Sequence, residues 1–279
     1  MSADLHCHTV RSDGSDTPDF VAAFARQRGL SAVALTDHDR YADVFEAAAL
    51  SHRYGVRVIP GVECSARDKQ RGNKVHILCY LCKRPEAVAD LLRRQTESRT
   101  QAVLQMTAKA ARLFPITEEM VTDGVRAGDF LGKQHIMLAL MRAGYATEMY
   151  GDLYFDLFSK KTGRCYVPFE DNDMLDVVRA LRETGGVIVM AHPSVYRSIV
   201  SLPDLIREGI HGIELDHPHN TPADRRAIRR AADEHGLLLT GGTDFHGYFT
   251  QTERLLPLGS CGATDEQLDA LLALADRLP

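Results

Sequence analysis

The sequence predicts an α/β protein in which a parallel sheet closes into a barrel. Seven short apolar runs, rich in β-branched residues, alternate with stretches of helical periodicity along most of the chain. Strands that alternate with helices in this way are typical of parallel sheets. A length of 279 residues suits one large domain, or one domain with an insertion.

Local start and stop signals place the first elements. The Thr17-Pro18 pair starts a helix that runs from about Pro18 to Arg28. A second helix is predicted around Val44–Tyr54 and ends at Gly55. The strands are predicted in seven segments: Ala3–His6, SAVALTDHD (31–39), VRVIPGVEC (56–64), KVHILCYL (74–81), GVIVMAHPS (186–194), GIHGIELDHP (209–218) and LLLTGGTDFHG (237–247).

A long interruption separates the fourth strand from the fifth. Between about Pro85 and Cys165, apolar residues recur at helical spacing with charged residues between them. We therefore predict a mostly helical insertion over 85–165, which would cap the substrate site. Segments 1–84 and 166–279 would form the barrel.

Composition narrows the classes of function. A formal net charge of −5 argues against a broad basic surface for long nucleic acid. No apolar run approaches the roughly 20 residues that a membrane span needs. The six cysteines mostly lie inside apolar runs, as reduced core cysteines do. We expect a cytoplasmic protein with neither long nucleic acid nor a membrane as partner, and the sequence leaves its oligomeric state open.

Two histidines stand two residues apart close to the start of the chain. Residues i and i+2 of a strand project from the same face, so His6 and His8 would lie side by side. Such a pair can chelate one metal ion, but a pair of polar residues at a frayed terminus explains a lone His-x-His equally well. The other strand ends decide between these interpretations.

Similar residue types recur at the carboxyl ends of the other strands, where α/β barrels place their chemistry. A lone histidine or carboxylate at such an end is more often a capping or hydrogen-bonded residue. Six histidines and three carboxylates in one ring instead predict a metal centre, and imidazole with carboxylate suits Mn²⁺, Zn²⁺ and Fe²⁺. The nine residues are His6, His8, Asp13, His38, Glu63, His76 (near the start of its strand), His192, Asp244 and His246.

Six motifs, in register, give the chain a resemblance to a known family. DLHCHTVRSDGSDTP, LTDHD, GVEC, VHILCY, MAHP and TDFHG look like the motifs of the polymerase and histidinol phosphatase (PHP) family, over about 1–82 and 186–247. The chain is most similar to small stand-alone phosphoesterases of that family with a helical insertion at this point. The resemblance implies a distorted (β/α)7 barrel.

The same resemblance, applied residue by residue, implies three divalent metals per chain. We expect Mn²⁺, with Zn²⁺ or Fe²⁺ as alternatives. The first site would take His6, His8, Glu63 and Asp244, the second would share Glu63 and add His76 and His192, and the third would take Asp13, His38 and His246.

Charge in this pocket favours phosphate chemistry. Three divalent ions bring about six positive charges against three carboxylates, which leaves a surplus of about three that suits a phosphate dianion better than a neutral amide. The hypothesis is hydrolysis of a phosphate ester by a metal-bridging hydroxide. His192, His246 or Asp244 would relay a proton to the leaving oxygen, and the sequence does not choose among them.

The insertion is expected to supply substrate contacts. In FLGKQHIMLAL, Lys133 and His135 precede an apolar helix, where the resembling phosphoesterases hold substrate phosphate with a basic residue and a histidine. The family pattern is often Ser-Arg-x-His, whereas here it is Gly132-Lys133-Gln134-His135, and lysine gives a point charge in place of a bidentate fork. A solvated helix start is the alternative interpretation.

Three more residues are candidates for substrate contact. Arg164 would be a second anion ligand, with a solvated turn as an equal alternative. His217 and His219 follow the sixth strand and would line the pocket, although a turn stabilised by Asn220 explains them as well.

The leading prediction is a phosphoesterase for a small phosphorylated sugar or nucleotide. This includes a cyclic phosphodiester that is opened and then dephosphorylated to release inorganic phosphate. The alternative is a nucleoside 3′,5′-bisphosphate phosphatase that also trims short RNA from the 5′ end. A histidinol phosphatase and a non-catalytic metal-binding module are less favoured.

Overall fold

The structure, a computed structural model, describes residues 2–126, 128–249 and 256–279. Eight strands form one sheet, of which seven follow one another in the order β1-β2-β3-β4-β6-β7-β8 and the short β5 pairs with β3. The strands are β1 (Ala3–Asp4), β2 (Ala32–Leu35), β3 (Arg57–Arg67), β4 (Lys74–Tyr80), β5 (Asn172–Asp173), β6 (Val187–Met190), β7 (Gly212–Asp216) and β8 (Leu238–Gly241).

Ten α-helices occur in the described ranges, and their caps agree with the local signals. Thr17 accepts a hydrogen bond from the Phe20 amide at the start of α1, and Gly55 takes the left-handed conformation (φ 62°) that ends α2. The helices are α1 (Pro18–Gln27), α2 (Val44–Tyr54), α3 (Glu86–Ala110), α4 (Glu118–Thr122), α5 (Lys133–Arg142), α6 (Asp152–Phe158), α7 (Met174–Glu183), α8 (Leu202–Glu208), α9 (Pro222–His235) and α10 (Asp265–Arg277).

The sheet curls until its first and last strands meet. The Leu5 amide donates a hydrogen bond to the Gly241 carbonyl, and Cys7 and Phe245 form a parallel bridge just beyond the two strands. Gly242 allows this approach, because a Cβ atom there would lie 2.4 Å from the Cβ of His6. The predicted seven-stranded barrel is therefore confirmed.

One strand runs against the predicted direction. β4 is antiparallel to both β3 and β6, whereas the sequence predicted a parallel sheet. Only residues 68–73 join β3 to β4, and a parallel crossover needs a dozen residues or more. The reversal brings the start of β4 to the carboxyl end of the parallel strands, which is why His76 lies near the start of its strand and still reaches the site.

Helices α3 to α6 lie between β4 and β5 and share an apolar cluster of their own. Met106, Ile136, Leu140 and Leu157 are fully buried in this cluster, separate from the clusters that pack the barrel. The insertion boundaries at 85 and 165 stay a prediction. In the described ranges, none of the helices combines the length and the apolar character needed to cross a membrane.

Candidate metal centre

The strand ends bring the nine predicted metal-binding residues to one place. Backbone hydrogen bonds fix the facing positions: the Asp39 amide donates to the Glu63 carbonyl, and the Glu63 amide donates to the Asp37 carbonyl. His38 is thereby held opposite Glu63. On the other side of Glu63, His76 pairs in register with Ser65, two residues further along the same face of β3.

Four side chains surround one point at the bottom of the site. The Nε2 atoms of His6 and His8 lie 3.4 and 3.2 Å from Oε2 of Glu63, and the same two atoms lie 3.4 and 3.2 Å from Oδ1 of Asp244. A tetrahedral ion with ligands at about 2.0–2.2 Å separates its ligand atoms by about 3.3–3.6 Å. The spacing of this group therefore fits a divalent ion, and the group matches the first predicted site.

The second predicted site is arranged around the other oxygen of Glu63. Its Oε1 atom lies 2.8 Å from both Nδ1 of His76 and Nε2 of His192. His38 also approaches this carboxylate, with its Nδ1 atom 3.1 Å from Oε2. Among the described residues, the group that could hold an ion here is His38, Glu63 and His76. It contains His38 in place of the predicted His192, which contacts Glu63 at hydrogen-bond distance.

The third predicted site contains one residue more than expected. Asp13, His38 and His246 lie together as predicted, with Nε2 of His246 3.2 Å from Oδ1 of Asp13. Nδ1 of His8 also lies 3.5 Å from Oδ1 of Asp13, so the two ring nitrogens of His8 face two different groups. The three groups thus share residues and lie side by side.

Buried polar atoms without hydrogen-bond partners support metal binding. Such atoms cost free energy unless an ion or water satisfies them. Within the described residues, the atoms of the centre without a hydrogen-bond partner are His6 Nε2, His8 Nε2, Asp13 Oδ1, His38 Nδ1, Glu63 Oε2, His192 Nδ1 and Asp244 Oδ1. The residues present therefore fit divalent cations.

The carboxylates of the centre are held in their charged form. Burial alone would raise the pKa of Glu63, but His76, His38 and His6 hold that pKa well below its usual range. The same competition lowers the pKa of Asp244, where His6 and His246 outweigh burial. Ionised carboxylates are the state that binds cations.

The sequence did not predict a role for Glu214, which contacts His6 and the backbone of His192. Its Oε1 atom lies 3.1 Å from Nδ1 of His6, and its Oε2 atom accepts a hydrogen bond from the His192 amide at 2.8 Å. A carboxylate in this position keeps the proton of His6 on Nδ1 and leaves Nε2 free to bind a metal. The signal was a charged residue inside the apolar strand GIELD, where it is fully buried.

Arg99 of α3 is a second residue that sequence reasoning missed. Its guanidinium lies 2.7 Å from Oδ2 of Asp39 and donates to Oγ of Ser65, also at 2.7 Å. Its charged end also lies 4.5 Å from the ring centre of Phe130, in cation–π range. This buried contact joins α3 to β3, which carries Glu63, and to the segment after β2, which carries His38.

A cavity of about 210 Å³ opens above the centre and is lined by both the barrel and the helical segment. Among the predicted substrate contacts, Lys133, His217 and His219 line it. The His219 amide donates to Nδ1 of His217 at 3.2 Å, so the proton of a neutral His217 ring lies on Nε2, 3.6 Å from Oδ2 of Asp244.

The other two predicted substrate contacts lie outside this cavity lining. Nδ1 of His135 accepts a hydrogen bond from the Gly132 amide at 3.1 Å, which caps α5. Arg164 is exposed and forms an ion pair with Asp156. Gln134 lines the cavity instead, and its Nε2 atom donates to Oδ2 of Asp13 at 3.0 Å.

The pKa of Lys133 lies below the usual value of a lysine. Burial, together with the positive charges of Lys74 and Lys160, lowers the pKa of Lys133 to about 8. Its Nζ atom lies 5.1 Å from the ring centre of Tyr166. The side chain is therefore mostly charged at neutral pH and loses its charge as the pH rises through about 8.

A barrel whose strand ends converge on histidines and carboxylates, beneath a partly basic cavity, is an architecture of metal-dependent hydrolases. The sequence profile of the PHP domain family matches residues 4–147 of the chain. A phosphoribosyl 1,2-cyclic phosphate 1,2-diphosphodiesterase from Eggerthella lenta is 39% identical over 251 residues, covering 89% of this chain and 95% of that protein. The chain therefore belongs to the PHP domain family.

Two further proteins are similar over nearly the same length. A 3′,5′-nucleoside bisphosphate phosphatase from Chromobacterium violaceum is 30% identical over 253 residues, covering 87% of this chain and 86% of that protein. The crystal structure of a proposed metal-dependent phosphoesterase from Bifidobacterium adolescentis matches with a TM-score of 0.87 at 31% identity, covering 98% of this chain and 96% of that chain. The predicted family, its barrel fold and the class of metal-dependent phosphoesterase are confirmed.

Proposed function

We propose that the protein opens a cyclic phosphodiester of a small phosphorylated sugar and then removes the resulting phosphate as inorganic phosphate. The observation that carries this proposal is the convergence of three overlapping histidine and carboxylate groups beneath a small cavity with lysines in its lining. Its support among known proteins is the 39% identical diphosphodiesterase from Eggerthella lenta.

The nine residues of the centre are proposed to hold three divalent ions, with Mn²⁺ preferred. Bound there, the ions would supply an activated water and offset charge on the phosphoryl oxygens. Glu63 is well placed to bridge two of them, because its two oxygens face different histidines. Glu214 and Ser12 would orient His6 and His8, since Oγ of Ser12 lies 3.4 Å from Nδ1 of His8.

Proton transfer to the leaving oxygen needs a donor inside the cavity. Asp244, His192 and His246 remain candidates from the sequence. His217 joins them, because its Nε2 atom carries the ring proton and faces Asp244 within the cavity wall. General acids act from hydrogen-bond distance of the reacting oxygen, which this position allows.

The helical segment over 85–165 is proposed to act as the substrate cap. Lys133 and Gln134 at the start of α5 both line the cavity, and Gln134 also contacts Asp13 of the centre. A cavity of about 210 Å³ suits a small substrate rather than a polymer. A cytoplasmic location and a small phosphorylated substrate are part of the same proposal.

A second candidate is a nucleoside 3′,5′-bisphosphate phosphatase. The 30% identical relative from Chromobacterium violaceum favours it. Against it stands Gly132-Lys133 in place of the Ser-Arg pair common in the resembling enzymes, because lysine cannot bind a phosphate through the bidentate fork of arginine.

A substrate panel separates these candidates. Protein loaded with Mn²⁺ is incubated with phosphoribosyl 1,2-cyclic phosphate, adenosine 3′,5′-bisphosphate and 2′,3′-cyclic AMP, and phosphorus NMR follows the products. We expect ring opening of the sugar cyclic phosphate, with a monoester intermediate, before inorganic phosphate is released. Release from the bisphosphate alone would replace the first candidate by the second.

A further inference from the structure

Two lysines in the lining of the cavity form no ion pair among the described residues. Lys74 of β4 and Lys133 of α5 line the same cavity from opposite sides of the boundary between barrel and helical segment. Across the described ranges, neither lysine has a carboxylate oxygen within the 4.0 Å of an ion pair. The nearby arginines are neutralised: Arg99 pairs with Asp39, and Arg67 pairs with Asp171 at 2.6 Å.

The position of Lys74 relative to the metal centre follows from the strand. Lys74 and His76 are two residues apart on β4 and project from the same face. In the register of the sheet His76 lies opposite Ser65 and Lys74 lies opposite Arg67, so Lys74 is further towards the mouth of the barrel. Two residues of a strand span about 7 Å. A group held by Lys74 is therefore remote from the reacting phosphate.

An aromatic ring lies close to each of the two ammonium groups. Nζ of Lys74 lies 5.6 Å from the ring centre of Tyr196, and Nζ of Lys133 lies 5.1 Å from that of Tyr166. Tyr196 also packs against His76 and His192, with ring centres 4.9 and 5.7 Å apart. Two like charges held close together repel each other, and a bound anion relieves that repulsion.

We propose that Lys74 is a specificity-determining residue that holds, together with Lys133, a second and non-reacting phosphate of the substrate. This inference rests on the proposed function and deepens it: the substrate class is a sugar with one phosphate at the metal centre and another at its far end. The second phosphate of such a substrate would lie about 7 Å from the level of His76 along β4.

Binding and kinetics of Lys74→Met test the proposal. The probe for binding is ribose 5-phosphate, measured by calorimetry on the metal-loaded protein. Its dissociation constant is expected to rise at least tenfold in Lys74→Met and to recover largely in Lys74→Arg. Lys69→Met, in the exposed turn between β3 and β4, is the matched control and is expected to bind like the wild type.

Kinetics distinguish recognition from a structural effect on His76. The two substrates are phosphoribosyl 1,2-cyclic phosphate and ribose 1,2-cyclic phosphate, which differ only in the remote phosphate. In Lys74→Met the ratio of their kcat/KM values is expected to fall at least tenfold, mainly through KM. An unchanged ratio, or unchanged binding of ribose 5-phosphate, would overturn the proposal. If the wild type binds ribose 5-phosphate through Lys74 but hydrolyses neither ester, the proposed function fails and the subsite stands.

Discussion

Nδ1 of His6 lies 3.1 Å from Oε1 of Glu214, and both side chains are fully buried. The contact fixes the ring so that its other nitrogen, Nε2, faces Glu63 and Asp244. Burial alone would raise the pKa of Glu214, but His6 holds that pKa below its usual value. Glu214 is therefore a carboxylate that accepts a hydrogen bond from the Nδ1–H group of His6. Glu214 thus orients the ring of a proposed metal ligand.

Replacing Glu214 by glutamine is expected to weaken metal binding by about 10–100-fold, because loss of such a partner lowers ligand basicity and loosens the ring. Competition with a fluorescent chelator measures the affinity. Glu183→Gln, in an exposed position on α7, is the control and is expected to bind metal like the wild type. Equal affinities for all three proteins would show that Glu214 does not orient the centre.

Arg99 is expected to contribute strongly to stability. Arg99→Met leaves the carboxylate of Asp39 buried without its partner, which costs about 3 kcal/mol or more in the free energy of unfolding. Arg93→Met on the same helix removes an exposed pair with Glu97 and is expected to cost less than about 1 kcal/mol. Urea denaturation compares the two variants, and similar losses would contradict a structural role for the Arg99–Asp39 contact.

Metal binding is expected to stabilise the folded chain. The unpartnered buried atoms of the centre exist only in the folded state, so a cation that satisfies them shifts the unfolding equilibrium. At a hundredfold excess over the dissociation constant, one ion adds about 2.7 kcal/mol. Thermal unfolding with Mn²⁺ and with a chelator measures this effect, which should be smaller in Asp13→Asn. A midpoint of thermal unfolding that changes neither with Mn²⁺ nor with the chelator would argue against binding at this centre.

Substrate affinity is expected to decrease at alkaline pH. Lys133 is charged below its pKa of about 8 and neutral above it, and only the charged form attracts phosphate. KM for a phosphorylated sugar should therefore rise above pH 8, by up to tenfold per pH unit if the neutral form contributes nothing. Lys133→Arg keeps its charge throughout this range and should flatten the profile. A wild-type KM that stays constant up to pH 10 would exclude a role for this charge.

Local sequence signals were sufficient for most of the fold. Thr17 and Gly55 cap the helices that they predict, and the strand runs fall where apolar residues cluster. The direction of β4 was predicted wrongly, although the short segment 68–73 between the two strands contains the relevant information. A count of connecting residues would have identified the hairpin.

The candidate site was predictable in its residue types but not in its pairings. Strand ends meet by topology, so the His6 and Asp244 positions could be expected to converge. Glu214 and Arg99 act through contacts between residues far apart in the sequence, which no periodicity encodes. At the start of α5, the positions of Gln134 and His135 depend on the rotation of the helix, and only the structure separates the residue facing the cavity from the one that caps the helix.

The most direct test of the account is a metal titration of phosphate release. Metal-free protein receives increasing equivalents of Mn²⁺, and inorganic phosphate released from phosphoribosyl 1,2-cyclic phosphate is measured at each step, with Asp244→Asn as the comparison. We expect no release without metal, release that rises with bound Mn²⁺, and a loss of at least a hundredfold in Asp244→Asn. Release that persists in metal-free protein, or that survives unchanged in Asp244→Asn, would contradict a phosphoesterase working through this centre.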